Sequence, residues 1–260
     1  IKVTPETGNK GVIVYETTGD RKSDLKKSFL QFTAKQNSAD LHIIIDPSVR
    51  FQSIDGFGSA ITGSTCYNLM QMSADDRTAF LTETFSNDNG FGHSYIRISI
   101  GCSDFSLSEY TCCDLPGIEN FSLQSEELDY VIPVLKEILR INPSIKILGS
   151  PWTCPRWMKV DNLENMNPYL SWTGGHLNPD FYKEYAEYFM KWINAMQDHG
   201  ISIYAITPQN EPLNPGNSAS LVMGWKEQQA FVRDALGPIL KSNKLNTRIY
   251  AFDHNYNYDN

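Results

Sequence analysis

The sequence predicts an α/β fold in which helices cover a parallel sheet, the arrangement of a (β/α)8 TIM barrel. Two observations predict it. From about residue 51, short apolar segments alternate with longer segments of helical character. The short segments lack a polar alternation, which is the mark of strands covered on both faces. The length of 260 residues matches one whole barrel, about 250 residues, but that match misleads, because the strand count falls short of eight.

Residues 1–50 differ from the rest. Val12-Ile-Val-Tyr15 is β-branched, a polar stretch with Lys22, Lys26 and Lys27 follows, and Leu41-His-Ile-Ile-Ile45 ends at Asp46-Pro47. Runs of this kind bounded by Gly and Pro predict short strands. Residues 1–50 therefore read as a β segment, and residues 51–260 as a barrel portion.

Within the barrel portion, residues 53–58 read as a first strand. A helix over 73–85 follows, with Ser73 as its N-cap and Asp75 and Asp76 in its first turn. A strand over 94–100 comes next, then a helix opened by Ser125 and running to Leu139. Residues 146–150 read as a short buried strand. Asn178 caps the next helix, Pro179 stands at its first position, and Phe181, Tyr185, Phe189 and Ile193 form its apolar stripe. A strand over 203–207, a helix over 225–242 disturbed by Gly237-Pro238, and a strand over 248–252 complete the series. Only about strands 1–5 of a barrel are present, so the expectation is the first half of a longer, truncated barrel.

Composition narrows the function. Lys plus Arg is 22 against 30 Asp plus Glu, a net charge of −8, which repels phosphate backbones and makes nucleic acid an unexpected partner. No apolar run reaches the ~18 residues of a membrane span. The five cysteines, Cys66, Cys102, Cys112, Cys113 and Cys154, show no CxxC pair and no zinc spacing. One non-adjacent disulfide stays open. Gly56-Phe-Gly58 begins a GxGxxG run, but Ile61 holds the last glycine position. GxSxG, GxxxxGK[ST] and HExxH are missing, so neither a metal nor a cofactor is expected.

Parallel barrels carry their chemistry at the carboxyl ends of the strands. The polar residues assigned there are Asp55, Asp104, Thr153, Asn210, Glu211, Asp253 and His254, with Trp152 and Trp157 beside them. Carboxylates and an amide pair with sugar hydroxyls, and indole stacks on the C–H face of a ring. Glycoside hydrolysis needs two carboxyl groups flanking the bond. Glu211 is the candidate acid, because it ends a strand between Asn210 and the rigid Pro212. A lone loop Glu is ordinarily a solvated charge; the Asn-Glu-Pro setting argues against that here. Arg97, placed mid-strand, either pairs with Asp55 or another barrel carboxylate or orients a catalytic carboxylate. Trp152 and Trp157 could be core, and Asp104 a turn former.

These residues carry a resemblance. Asp55-Gly-Phe-Gly-Ser-Ala-Ile-Thr62, Ile96-Arg97, Cys102-Ser-Asp-Phe-Ser106, Ser150-Pro-Trp-Thr153 with Trp157-Met-Lys159, and Asn210-Glu-Pro212 resemble glycoside hydrolase family 30. That family includes glucosylceramidases and endo-β-1,6-glucanases, and the likeness covers about residues 50 to 260. It implies a retaining β-glycosidase with Glu211 as acid/base and a terminal glucose held by Asp104, Trp152 and Asn210. It implies a β-sandwich beside the barrel, to which residues 1–50 contribute. It also implies a nucleophilic Glu ending the seventh strand, hence beyond residue 260. Glu109, Glu164 and Glu227 lie in loops or helix starts and do not replace it. Pro208-Gln209 stands where glucosylceramidases usually carry a Glu before Asn-Glu, which tilts the reading toward a β-1,6-glucan or related β-glucoside. The alternatives are a glucosylceramidase acting on glycolipid, and a non-catalytic carbohydrate-binding barrel. A secreted or periplasmic location is expected, and the oligomeric state stays open.

Overall fold

Strand β1 (Gly11–Glu16) pairs antiparallel with β2 (Lys26–Gln31), Gly11 opposite Gln31 and Glu16 opposite Lys26. Residues 11–32, 44 and 46–258 are described in this computed structural model, and the chain divides into units Ile1–Ile54 and Asp55–Asn260. The β1 strand grows from the β-branched run at 12–15. Its partner Lys-Lys-Ser-Phe-Leu-Gln, read from sequence as a polar stretch, is a strand because β1 supplies its ladder; strand propensity depends on the neighbour. The run expected at 41–45 lies outside the described residues, Ile44 excepted.

The second unit follows the order β3 (Gly58–Ala60), α1 (Gly63–Gln71), α2 (Ala74–Phe85), β4 (Tyr95–Ser99), α3 (Ile132–Ile141), β5 (Lys146–Ser150), β6 (Lys159–Val160), β7 (His176–Leu177), α4 (Tyr182–Asp198), β8 (Ala205–Ile206), α5 (Trp225–Phe231), α6 (Gly237–Ser242) and β9 (Arg248–Ile249). Strands β3, β4, β5, β8 and β9 form one five-stranded parallel sheet in chain order. A strand always laid beside its predecessor, with helical connections, is how a (β/α)8 barrel is built. The predicted fold class holds. The β6–β7 pair is a small antiparallel ribbon within the long connection after β5.

Burial of the strands corrects one expectation. Along β4, Ile96 and Ile98 are buried, while Tyr95, Arg97 and Ser99 are only half-buried. The buried side faces the helices: a Cβ on Gly149 of β5 would stand 2.8 Å from the Trp192 ring of α4. The other side carries the polar groups described below. Helix α4 is the main packing element; Tyr185, Tyr188, Phe189 and Trp192 are fully buried, and burial of the Phe189 ring alone contributes roughly 1.5–3 kcal/mol. Tyr185 stacks on Phe231 of α5, ring centroids 5.3 Å apart.

The helix ends follow local chemistry. Ser73 accepts the Asp76 N–H (3.1 Å) and starts α2, as expected. Asn178 accepts the Asp180 N–H at the head of a single 3-10 turn that leads into α4. Helix α1 escaped the sequence because it buries only Gly63, Cys66 and Leu69; Thr62 caps it by accepting the Thr65 N–H. Ser125 lies inside its helix rather than capping it, and the Glu127 carboxylate reaches back to the Gln124 N–H (3.0 Å). The Gly237-Pro238 pair does not end the last helix, because a π turn at Val232–Leu236 joins α5 to α6. All five cysteines are buried and free.

Candidate active site

The carboxyl ends of β4, β5, β8 and β9 open on a pocket of about 440 Å³. Arg97, Asp104, Trp152, Asn210, Glu211, Asn217, Asp253, His254 and Asn255 line it. Glu211, Asp104, Trp152, Asn210 and Arg97, all singled out from the sequence, are therefore brought to one place. Trp157 is structural: it meets Phe181 edge-on and donates its indole N–H to the Cys113 carbonyl (2.9 Å). Asp55 is not at this mouth. Strand β3 begins at Gly58, later than the sequence suggested, so Asp55 precedes the strand. Its carboxylate accepts from Tyr204 (2.7 Å) and Lys146 (3.1 Å), and these bonds hold it below the usual carboxylate range.

Arg97 organises the floor. Its Nη2 donates to Asn210 Oδ1 (2.8 Å), to Ser150 Oγ (3.0 Å) and to Asp253 Oδ2. The ion pair is thus with Asp253 and not with Asp55. Ser150 and Thr207 also donate to Asp253 Oδ2, at 2.9 and 3.1 Å. The guanidinium lies over the Trp152 ring, 4.7 Å from its centroid. Because Asn210 Oδ1 is taken by Arg97, its Nδ2 hydrogens remain for a ligand. Buried Gln209 fixes the adjacent backbone by donating to the Trp152 and Asn210 carbonyls, at 2.7 and 2.8 Å.

Glu211 occupies a special backbone position. Its φ is +41°, in the left-handed region that costs a non-glycine residue about 1–2 kcal/mol. Three bonds hold it there. The Glu211 N–H donates to the Asp253 carbonyl (2.9 Å), the Asn210 N–H to the Pro151 carbonyl (2.8 Å), and the Asn214 N–H to the Glu211 carbonyl (2.9 Å). Retained strain of this kind concentrates at functional positions. The side chain accepts from Asn214 Nδ2 (2.8 Å) and Asn217 Nδ2 (2.6 Å), both on Oε2.

Asp104 enters from the loop after β4. Two buried glutamates secure that loop: Glu126 Oε2 accepts the Leu107 N–H (2.8 Å), and Glu127 Oε1 accepts the Tyr110 hydroxyl (3.0 Å). Burial pushes the Glu127 carboxyl up to about 7. Behind the pocket wall, Trp152 packs with Cys102, Tyr110 and Ala219, and Trp172 closes the cluster. The Trp152 indole N–H has no hydrogen-bond partner among the described residues.

Sequence reasoning missed Asn214, Asn217 and Asn255, and it gave Asp253 no role. No local pattern marks these asparagines; only the return of the loop beyond Pro212 brings two of them to Glu211. The three glutamates set aside from the sequence are not among the pocket's lining residues. Glu109 contacts Ser218, Glu227 pairs with His176 (3.0 Å) and accepts the Gly224 N–H, and Glu164 is exposed.

Comparison with known proteins identifies the domain that carries this pocket. Residues 54–258 match the Glycosyl hydrolase family 30 TIM-barrel domain. A solved endo-beta1,6-glucanase, BT3312, is 62% identical with a TM-score of 0.87, covering 95% of this chain and 53% of that one. Endo-1,6-beta-D-glucanase BGN16.3 of Trichoderma harzianum is 35% identical over 219 residues, 78% of this chain and 44% of the relative. Lysosomal acid glucosylceramidase of Mus musculus is 29% identical over 253 residues, 92% of this chain and 47% of the relative. The chain spans about half the length of the curated relatives it matches. The chain belongs to glycosyl hydrolase family 30, and residues 54–258 are the part of it that matches the family's TIM-barrel domain.

Proposed function

We propose that this chain carries the acid/base half of a retaining β-glycosidase acting on β-1,6-glucan or a related β-glucoside. The observation that carries the reading is the convergence of Glu211, Asn210, Asp104 and Trp152 on one pocket at the carboxyl ends of parallel strands. In the first step Glu211 gives its proton to the glycosidic oxygen as the C–O bond breaks, and the bond's electrons stay with that oxygen. A nucleophilic carboxylate takes the anomeric carbon from the opposite face. In the second step Glu211 removes a proton from water, which displaces that carboxylate. Asn210 Nδ2 and Asp104 bind hydroxyls, and the Trp152 wall excludes water.

Retention needs the two carboxylates about 5 Å apart. Asp104 and Asp253 are the other carboxylates lining the pocket. Asp253 is held by Arg97, Ser150 and Thr207 and serves the floor. The family resemblance implies that the nucleophile is a Glu ending a seventh barrel strand, and it is assigned there. The hairpin of β1 and β2 is assigned to a β-sandwich, because a two-stranded hairpin is at best marginally stable alone and it exposes Val12, Phe29, Leu30 and Phe32. A secreted or periplasmic location fits glycan substrates of this kind.

The likeness to endo-1,6-glucanases at 62% and 35% identity supports the glucan over a glycolipid. The test is product analysis with the complete protein on β-1,6-glucan and on a glucosylceramide. Release of gluco-oligosaccharides from the glucan, with little ceramide release, is expected. Ceramide release alone would turn the reading to the glycolipid, and saccharide binding without products would turn it to a non-catalytic barrel.

A further inference from the structure

The Glu211 carboxylate is bound unequally. Asn214 Nδ2 and Asn217 Nδ2 both donate to Oε2, at 2.8 and 2.6 Å, and among the described residues no hydrogen bond reaches Oε1. A carboxylate oxygen has two in-plane lone pairs. Two amide donors to Oε2 compete with an acidic proton for that oxygen and favour its place on Oε1. Resting on the assignment of Glu211 as acid/base, we propose that Asn214 and Asn217 are positioning residues that choose which oxygen carries the catalytic proton. They hold Oε2 as an acceptor and leave Oε1 as the atom that gives the proton to the leaving oxygen and takes one from water.

The loop bearing both amides is built to stay still. Asn214 Oδ1 accepts the Gly216 N–H (3.0 Å), which fixes that amide's orientation so that its Nδ2 faces Glu211. Next to Asn217, Ser218 donates to Glu109 of the loop after β4. Ala219 and Leu221 are fully buried. The Ser220 N–H donates to the Trp172 carbonyl (2.9 Å), and its hydroxyl donates to the Pro215 carbonyl (2.9 Å). Buried Lys159 donates to the Ser220 and Ser171 carbonyls, at 3.0 and 2.9 Å. Burying an amine this deeply is costly unless it is bonded. Its effect is to tie residues 171–172 and 220 into one body, so the Asn217 amide arrives preorganised.

A proton donor matters only when the leaving group needs one. Asn217→Ala and Asn214→Ala are therefore assayed in the complete protein on β-1,6-glucan and on an activated aryl β-glucoside, beside Glu211→Ala and the Glu211→Ala/Asn217→Ala double variant. Thermal melting confirms that each variant is folded. Asn217→Ala is expected to lower kcat on the glucan by roughly tenfold or more, up to the 10²–10⁴-fold that general acid catalysis as a whole supplies. Glycosylation by the activated glucoside should change by less than about threefold, because little proton transfer is required there. On the glucan, Asn217→Ala should cost little more once Glu211 is gone, since residues acting through one group are not additive. Equal loss on both substrates, a rise in KM alone, or a full further loss in the Glu211→Ala background would overturn the positioning role. If Glu211→Ala itself spares the glucan, the acid/base assignment fails instead, and the two failures are distinct.

Discussion

At the residue scale, Arg97 is the point on which the pocket floor turns. One guanidinium nitrogen serves Asp253, Asn210 and Ser150 while its plane covers Trp152. A lysine keeps the charge but neither the planar fork nor the stack. Arg97→Lys should lower kcat/KM on β-1,6-glucan by on the order of 10²-fold through misplaced Asn210, the cost of about 1 Å of misalignment. Steady-state kinetics check this, and unchanged kinetics would demote Arg97 to a dispensable ion pair. Glu127 gives a pH signature. Burial raises its carboxyl from 4.5 to about 7 in the native state, so between those values the folded chain holds a proton that the unfolded chain has released. Stability from this group is therefore full below pH 4.5, falls as pH rises toward 7, and is flat above it. Chemical denaturation at pH 5 and pH 8 should show a loss on the order of 3 kcal/mol in the native protein, and Glu127→Gln should remove most of that difference.

At the element scale, the close approach of β5 to α4 leaves no room for a side chain at position 149. A Cβ there meets the Trp192 ring at 2.8 Å. Gly149→Val should cost at least about 2 kcal/mol by overpacking and lower Tm by roughly 5 °C; calorimetry measures it. The same elements show what a sequence can and cannot tell. Ser73, Asn178-Pro179 and the Tyr185–Phe189–Ile193 stripe act within a few residues of themselves, so α2 and α4 were legible. β2 depends on the ladder from β1, and α1 buries too little to leave a stripe. Asp55 was misplaced because the strand starts at Gly58. Glu211, Asn210, Asp104 and Trp152 were found because they stand at strand ends in recognisable blocks. Asn214 and Asn217 were not, because their relation to Glu211 comes from a loop that folds back on itself.

At the scale of the whole molecule, a net charge of −8 faces, in the proposed function, a substrate class that carries no charge. Recognition by hydrogen bonds and an indole wall, without ion pairing, should be nearly indifferent to salt. Raising ionic strength from about 50 mM to about 500 mM shortens the screening length severalfold. It should nevertheless change kcat/KM on neutral glucan by less than about twofold, whereas a steep salt dependence would point to a charged substrate. The parallel strands in chain order, the strained Glu211 and the Arg97 floor support the proposal that Glu211 is the acid/base of a two-step glycosyl transfer. Its most direct test is turnover of an activated aryl β-glucoside by Glu211→Ala in the complete protein, with and without azide. The account predicts a burst followed by stalled deglycosylation, and azide should restore turnover and yield a β-glucosyl azide. Slow turnover without a burst, unmoved by azide, would contradict it.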